Sequence, residues 1–164
     1  MIYKEQIDFF RDVYKEEEAR YQSLTDRGKI YLSIVSVFFG GVFLKYDWIL
    51  DHRPSLKDGL AFHALGIAAF LVSLMLICRA LQVIDYAEIA DLSDLVKTEN
   101  LESQPLEEFY KLRMADYAAA YEVNFTQNDK WANLLKNSLD LIVVGVILIL
   151  AGILQAFASS LGWI

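Results

Sequence analysis

The last 24 residues of the chain, Leu141 to Ile164, carry no charge. A helix crossing the hydrocarbon core of a bilayer needs about 20 apolar residues. This stretch therefore reads as a transmembrane helix, entered at Asp140 and interrupted most strongly by Gln155. Two shorter apolar stretches precede it, Ile30–Leu44 and Leu60–Cys78. The expected fold is an all-α membrane protein, three transmembrane helices with a small cytosolic helical bundle.

Composition agrees with this. Of the 164 residues, 55% are hydrophobic, as expected when roughly a third of a chain lies in lipid. The net charge of −7 repels a polyanion, so nucleic acid is not an expected partner. The single cysteine, Cys78, excludes an intramolecular disulfide and a thiolate metal cluster. His52 and His63 are too few for a histidine metal site, and no cofactor is expected. Residues 1–29 are charged and lack an early apolar run, unlike a signal peptide, so the first apolar stretch is expected to act as an uncleaved signal anchor.

Residues 1–29 form the first expected segment, a cytosolic amphipathic helix. Ile2, Ile7, Phe10, Val13, Tyr14, Tyr21 and Leu24 recur at helical spacing between charged residues. Gly28 is the only break before the apolar stretch, so the helix can feed directly into the membrane. The next segment, 30–80, reads as a transmembrane hairpin with helices at about 30–48 and 60–79. Ile30–Leu44 covers only about 22 Å at the helical rise, and Lys45 must snorkel outward. Ser36 and Gly40, with Gly41 beside them, form a small-residue pair of the kind that lets helix backbones approach closely. Ala64 with Ala68, and Ala69 with Ser73, repeat that signal in the second stretch. Asp47–Gly59, with Pro54, reads as a tight hairpin loop. His63 reads as an interfacial residue touching water, with proton sensing as the sharper alternative. Cys78 reads as an inert thiol or an acylation site at the membrane edge.

Residues 81–137 form the expected cytosolic helical region. No breaker follows the second apolar stretch, so the helix is expected to continue through Ala80–Lys97. Asp85, Glu88, Asp91 and Asp94 would then form a slowly rotating acidic stripe. It is either a water-facing edge or an acidic ring at a pore vestibule, with Gln155 as a further pore candidate. Ser103 can cap a new helix, with Pro105, Glu107 and Glu108 in its first turn. Tyr110, Tyr117 and Tyr121 lie on one stripe near Arg113, either as packing or as a sandwich for a small polar ligand. The last segment, 138–164, carries Gly145, Gly152 and Ala156 along one side as a packing face.

Basic residues are more numerous before the first span and in the long connection than in the first loop, which places the N-terminus and that connection in the cytosol. No phosphate loop, nucleophile–base pair or metal signature is present, so catalysis is not expected.

The lead "EEEARYQSLTDRGKIYLSIVS" runs into the close-spaced pair of apolar stretches, and "YAAAYEVNFTQNDKWANLLKNSL" runs into the third. This layout, with Asn124, Asn128, Lys130 and Leu135, resembles the SLATT-type membrane effectors, small bacterial proteins with a transmembrane helix pair and cytosolic helices. The resemblance implies an oligomeric inner-membrane protein of anti-phage defence that permeabilises the membrane when a signalling or sensor partner triggers it. Arg113, Tyr117, Tyr121, Asn124 and Asn128 are the expected surface for that cytosolic partner. The alternative is a non-conducting membrane anchor or regulatory subunit that binds a cytosolic partner through its helices.

Overall fold

The computed structural model describes residues 2–52, 59–82, 87, 89 and 105–161; side chains are described from residue 5, and not between 42 and 58. Its secondary structure is entirely helical among these residues: α1 (Ile2–His52), α2 (Leu60–Leu81) and α3 (Leu106–Ser160). The 51 residues of α1 contain no proline, and Gly28 does not break it. The amphipathic helix therefore does run on into the first apolar stretch, and it extends to His52, beyond the expected loop start at Asp47. The remainder of that loop, including Pro54, lies outside the described residues.

Among the described residues two helices, not three, are long and apolar enough to cross a membrane: α2, and a window within α3. The expected span at 30–44 is helical throughout, but its residues from 42 onward lie outside those with described side chains.

One expectation is overturned. Helix α2 ends at Leu81, and Gln82 turns extended with φ −59° and ψ 132°. Ala87 and Ile89 are not helical. The peptide groups of Ala87, which a continued helix would use in its own ladder, are instead taken by a side chain of α3. Asp85, Glu88, Asp91 and Asp94 lie outside the described residues. At the start of α3, the Pro105 carbonyl accepts from the Glu108 and Phe109 amides at 2.9 and 3.2 Å, with Glu107 and Glu108 in the first turn. Ser103, the expected cap, lies outside the described residues.

The chain divides into two compact units. The first joins Met1–Leu24 to Val83–Trp131 and the second joins Thr25–Gln82 to Ala132–Ile164. In the second, Val35, Phe70, Ile77 and Ile142 form the buried core. Phe38 stacks on Phe70 with ring centroids 4.2 Å apart. Helices α2 and α3 run antiparallel and meet at three levels: Gly59 with Gly152, Gly66 with Gly145, and Ser73 with Ser138. A Cβ on Gly66 would lie 3.0 Å from the Gly145 carbonyl oxygen, and one on Gly152 would lie 3.1 Å from that of Gly59. These backbones pack at a distance that only glycine permits. The three levels are seven residues apart on each helix, the spacing of a coiled-coil seam. At the third, the Ser73 hydroxyl donates to the Ser138 carbonyl at 3.0 Å and lies 2.9 Å from its hydroxyl, both residues fully buried.

Candidate functional site

The polar residues that helix spacing turns inward are concentrated in the first unit. On α1, Tyr14, Glu17, Tyr21 and Leu24 alternate by three and four residues, so they share one face. On α3, Arg113, Tyr117, Ala120, Asn124, Asn128 and Trp131 do nearly the same, with two steps of four around Asn124. The extra residue is a stutter that locally unwinds such a seam, and the two buried asparagines flank it.

Asn128 is fully buried and donates from Nδ2 to the Glu17 carbonyl at 3.0 Å and to Glu17 Oε2 at 2.7 Å. Glu17 is itself only 8% exposed. Its second partner is Arg20, whose guanidinium lies 3.5 Å away and also forms an ion pair with Asp129. The Asp129 hydrogen bond, aided by Glu17, raises the Arg20 pKa against the smaller opposing effect of desolvation. The Arg20 guanidinium also lies over the Phe125 ring. Tyr21 packs on Trp131 at 4.9 Å, and Tyr14 meets Tyr117 edge-on at 5.9 Å.

Asn124, also fully buried, holds the connection that follows α2. Its Oδ1 accepts from the Ala87 amide at 3.0 Å and its Nδ2 donates to the Ala87 carbonyl at 3.1 Å. The Tyr14 hydroxyl donates to the same carbonyl at 3.4 Å. The side-chain amide thus pairs with one residue's main chain as a neighbouring strand would.

Three of the residues expected to meet a partner are therefore turned inward. Asn124, Asn128 and Arg113 are buried, because the 3–4 spacing that places them on one stripe is the spacing of the helix seam. Arg113 has Asp116 at 3.4 Å and the Phe109 ring beneath it. Tyr117 and Tyr121 are half-buried, and Tyr121 stands beside Phe125.

The packing residues divide. Ser73, Gly145, Gly152 and Ala156 are buried, whereas Ala64 and Ala68 are exposed and Ala69 is half-buried. Ser36, Gly40 and Gly41 are open, and nothing would lie within 4 Å of a Cβ on either glycine. Gln155 is half-buried, with its Oε1 enclosed and lacking a hydrogen-bond donor. Sequence reading passed over Gly59, Gly66 and Ser138, although their recurrence every seven residues was visible. It also passed over Glu17, Arg20, Asp129 and Ala87, whose association depends on how the helices align.

Among the described residues no group of three His, Cys, Asp or Glu side chains is placed to hold a metal ion. The arrangement joins and aligns helices. No family model, curated protein or solved structure matches the chain.

Proposed function

We propose that the chain is an oligomeric membrane effector of bacterial anti-phage defence that permeabilises the inner membrane when a signal or partner triggers it. In this reading α1 supplies a third span over 30–48, the N-terminus and first unit lie in the cytosol, and a cytosolic signalling or sensor protein acts there. The observation that carries it is the open small-residue face of α1. Ser33, Ser36, Gly40 and Gly41 are exposed on a helix whose opposite side, at Val35, is buried. Small residues in a membrane helix favour close helix–helix contact, and here that face is left for further copies. The polar residues it offers suit a narrow, mostly apolar constriction of the kind that gates by dewetting.

A second reading, a non-conducting membrane anchor for a cytosolic partner, draws on a different observation. The outer face of α3 in the second unit presents Val143, Ile147, Leu150, Leu154 and Phe157 to its surroundings, a lipid-facing rather than water-lining surface. The experiment is expression of the chain with and without its genomic neighbours while membrane potential is followed. Depolarisation under the trigger supports the effector. Unchanged potential in every condition, together with a stable complex with a cytosolic protein, selects the anchor.

A further inference from the structure

We propose that the groove between α1 and α3 in the second unit holds one anionic phospholipid, an acyl chain along the groove and the phosphate between Arg27 and Lys136. This rests on the membrane reading given above. The groove has a volume of about 450 Å³ and is lined by Ser33, Ile34, Val37 and Phe38 of α1, Phe70 of α2 and Val146 of α3. Its one hydroxyl is spent within its own helix, because Ser33 donates to the Lys29 carbonyl at 2.9 Å. The remaining surface is apolar and suits a hydrocarbon chain. A helix from a second copy fits it poorly. A helix is about 10–12 Å across, so a single turn displaces on the order of 500 Å³, as much as the whole groove.

At the end that the membrane reading places in the cytosolic leaflet, the groove meets two free cations. Gly28 of α1 faces Leu135 of α3, since a Cβ there would lie 3.5 Å from the Leu135 side chain. Arg27 and Lys136 are the chain neighbours of this pair and so stand at one level. Helix spacing puts both beside the groove. Arg27 is seven residues before Ile34, and Lys136 is seven before Val143, which adjoins Val146 one turn on. Both are exposed, and neither makes an ion pair among the described residues. Asp26 at this level is taken by Lys29 at 3.2 Å. Asp140, one turn deeper than Lys136, offsets one of the two cations and leaves the mouth positive, on a chain whose net charge is −7. On α1 no further charge follows Lys29 until Lys45, and on α3 none follows Asp140 through Ile164. The cations thus stand where headgroups lie, and basic pockets between membrane helices at the cytosolic edge take anionic headgroups.

The test is native mass spectrometry of the full chain, purified in detergent and mixed with equal phosphatidylglycerol and phosphatidylcholine of the same acyl chains. The parent should retain phosphatidylglycerol several-fold over phosphatidylcholine, at one molecule per chain. Arg27→Gln with Lys136→Gln should abolish that preference. Arg79→Gln should keep it, because Arg79 is nine residues from Phe70 and so on the opposite face of α2. Val37→Trp, at a position 77% exposed, crowds the groove and should lower retention of both lipids. No preference in the parent, a preference that survives the double change, or equal loss in Arg79→Gln would each overturn the proposal. So would competition by millimolar glycerol phosphate, which marks a site for free anions. If Val37→Trp separates copies and leaves lipid bound, the groove belongs to a second copy and the proposal falls. A parent that needs detergent but shows no preference removes the lipid site alone. A parent soluble without detergent removes the membrane reading as well.

Discussion

Asn124 makes the most exacting set of contacts in the chain. A fully buried side-chain amide bonds both main-chain groups of Ala87, so truncating it leaves the part-buried N–H without its acceptor and the C=O with only the longer bond from Tyr14. Asn124→Ala should cost about 1–3 kcal/mol, the range for leaving buried partners unsatisfied. Asn124→Asp should cost comparably, since a carboxylate accepts from the amide but offers no donor to the carbonyl. Denaturant unfolding in detergent checks both. Arg20 makes a different prediction. Its pKa is raised by Asp129 and Glu17, so whatever it contributes is complete below the unfolded value and is lost only as pH rises through the still higher folded value. The unfolding-temperature difference between the parent and Arg20→Met should therefore be the same at pH 7 and pH 9. A difference that shrinks by pH 9 would show that another group controls it.

The α2–α3 seam decides which glycines matter. Gly66→Leu must push a side chain into Ile149 and the Gly145 backbone, and a rigid close-packed contact has no room to give. It should destabilise by several kcal/mol, on the scale of severe overpacking. Gly40→Leu meets open space within one chain. It should leave the fold of the protomer unchanged while reducing oligomer recovery, read by size exclusion with light scattering. Equal loss of stability in both variants would contradict this division. Ser138→Ala should be milder than Ser73→Ala, since the Ser73 hydroxyl keeps the main-chain carbonyl at 138 as its acceptor, whereas truncating Ser73 takes away the partner of the buried Ser138 hydroxyl. The contrast also explains how far this part of the fold was legible. Helix type and the apolar stretches follow from composition and periodicity, and Gly145, Gly152 and Ser73 were readable as packing positions. Ala64 and Ala68 lie outside this seam, whose spacing is seven rather than four, and are exposed within the chain. The non-helical course at Ala87 was hidden because the side chain that holds it, Asn124, lies 37 residues further along the chain.

For the whole molecule the prediction is physical before it is biological. Among the described residues two helices are long and apolar enough to cross a bilayer, and large apolar side chains such as Val37, Met75 and Leu154 stand exposed on the helices. Large exposed apolar faces mark membrane or protein interaction surfaces. The protein should partition with membranes and need detergent for extraction. Recovery in aqueous buffer as a monodisperse species would sink the membrane reading. The polar pairings of the first unit were not legible in the sequence. Glu17, Asn128 and Asp129 look like an ordinary solvated set until the alignment of α1 and α3 brings them together.

The hold on Ala87 addresses the main chain and ignores the methyl group. Position 87 is therefore open to drift through almost any residue while the tether persists. Proline is barred, because it has no N–H to offer Asn124. Across relatives, position 124 should stay invariant while its counterpart wanders. That pattern of one fixed end and one free end would escape any search for co-varying pairs.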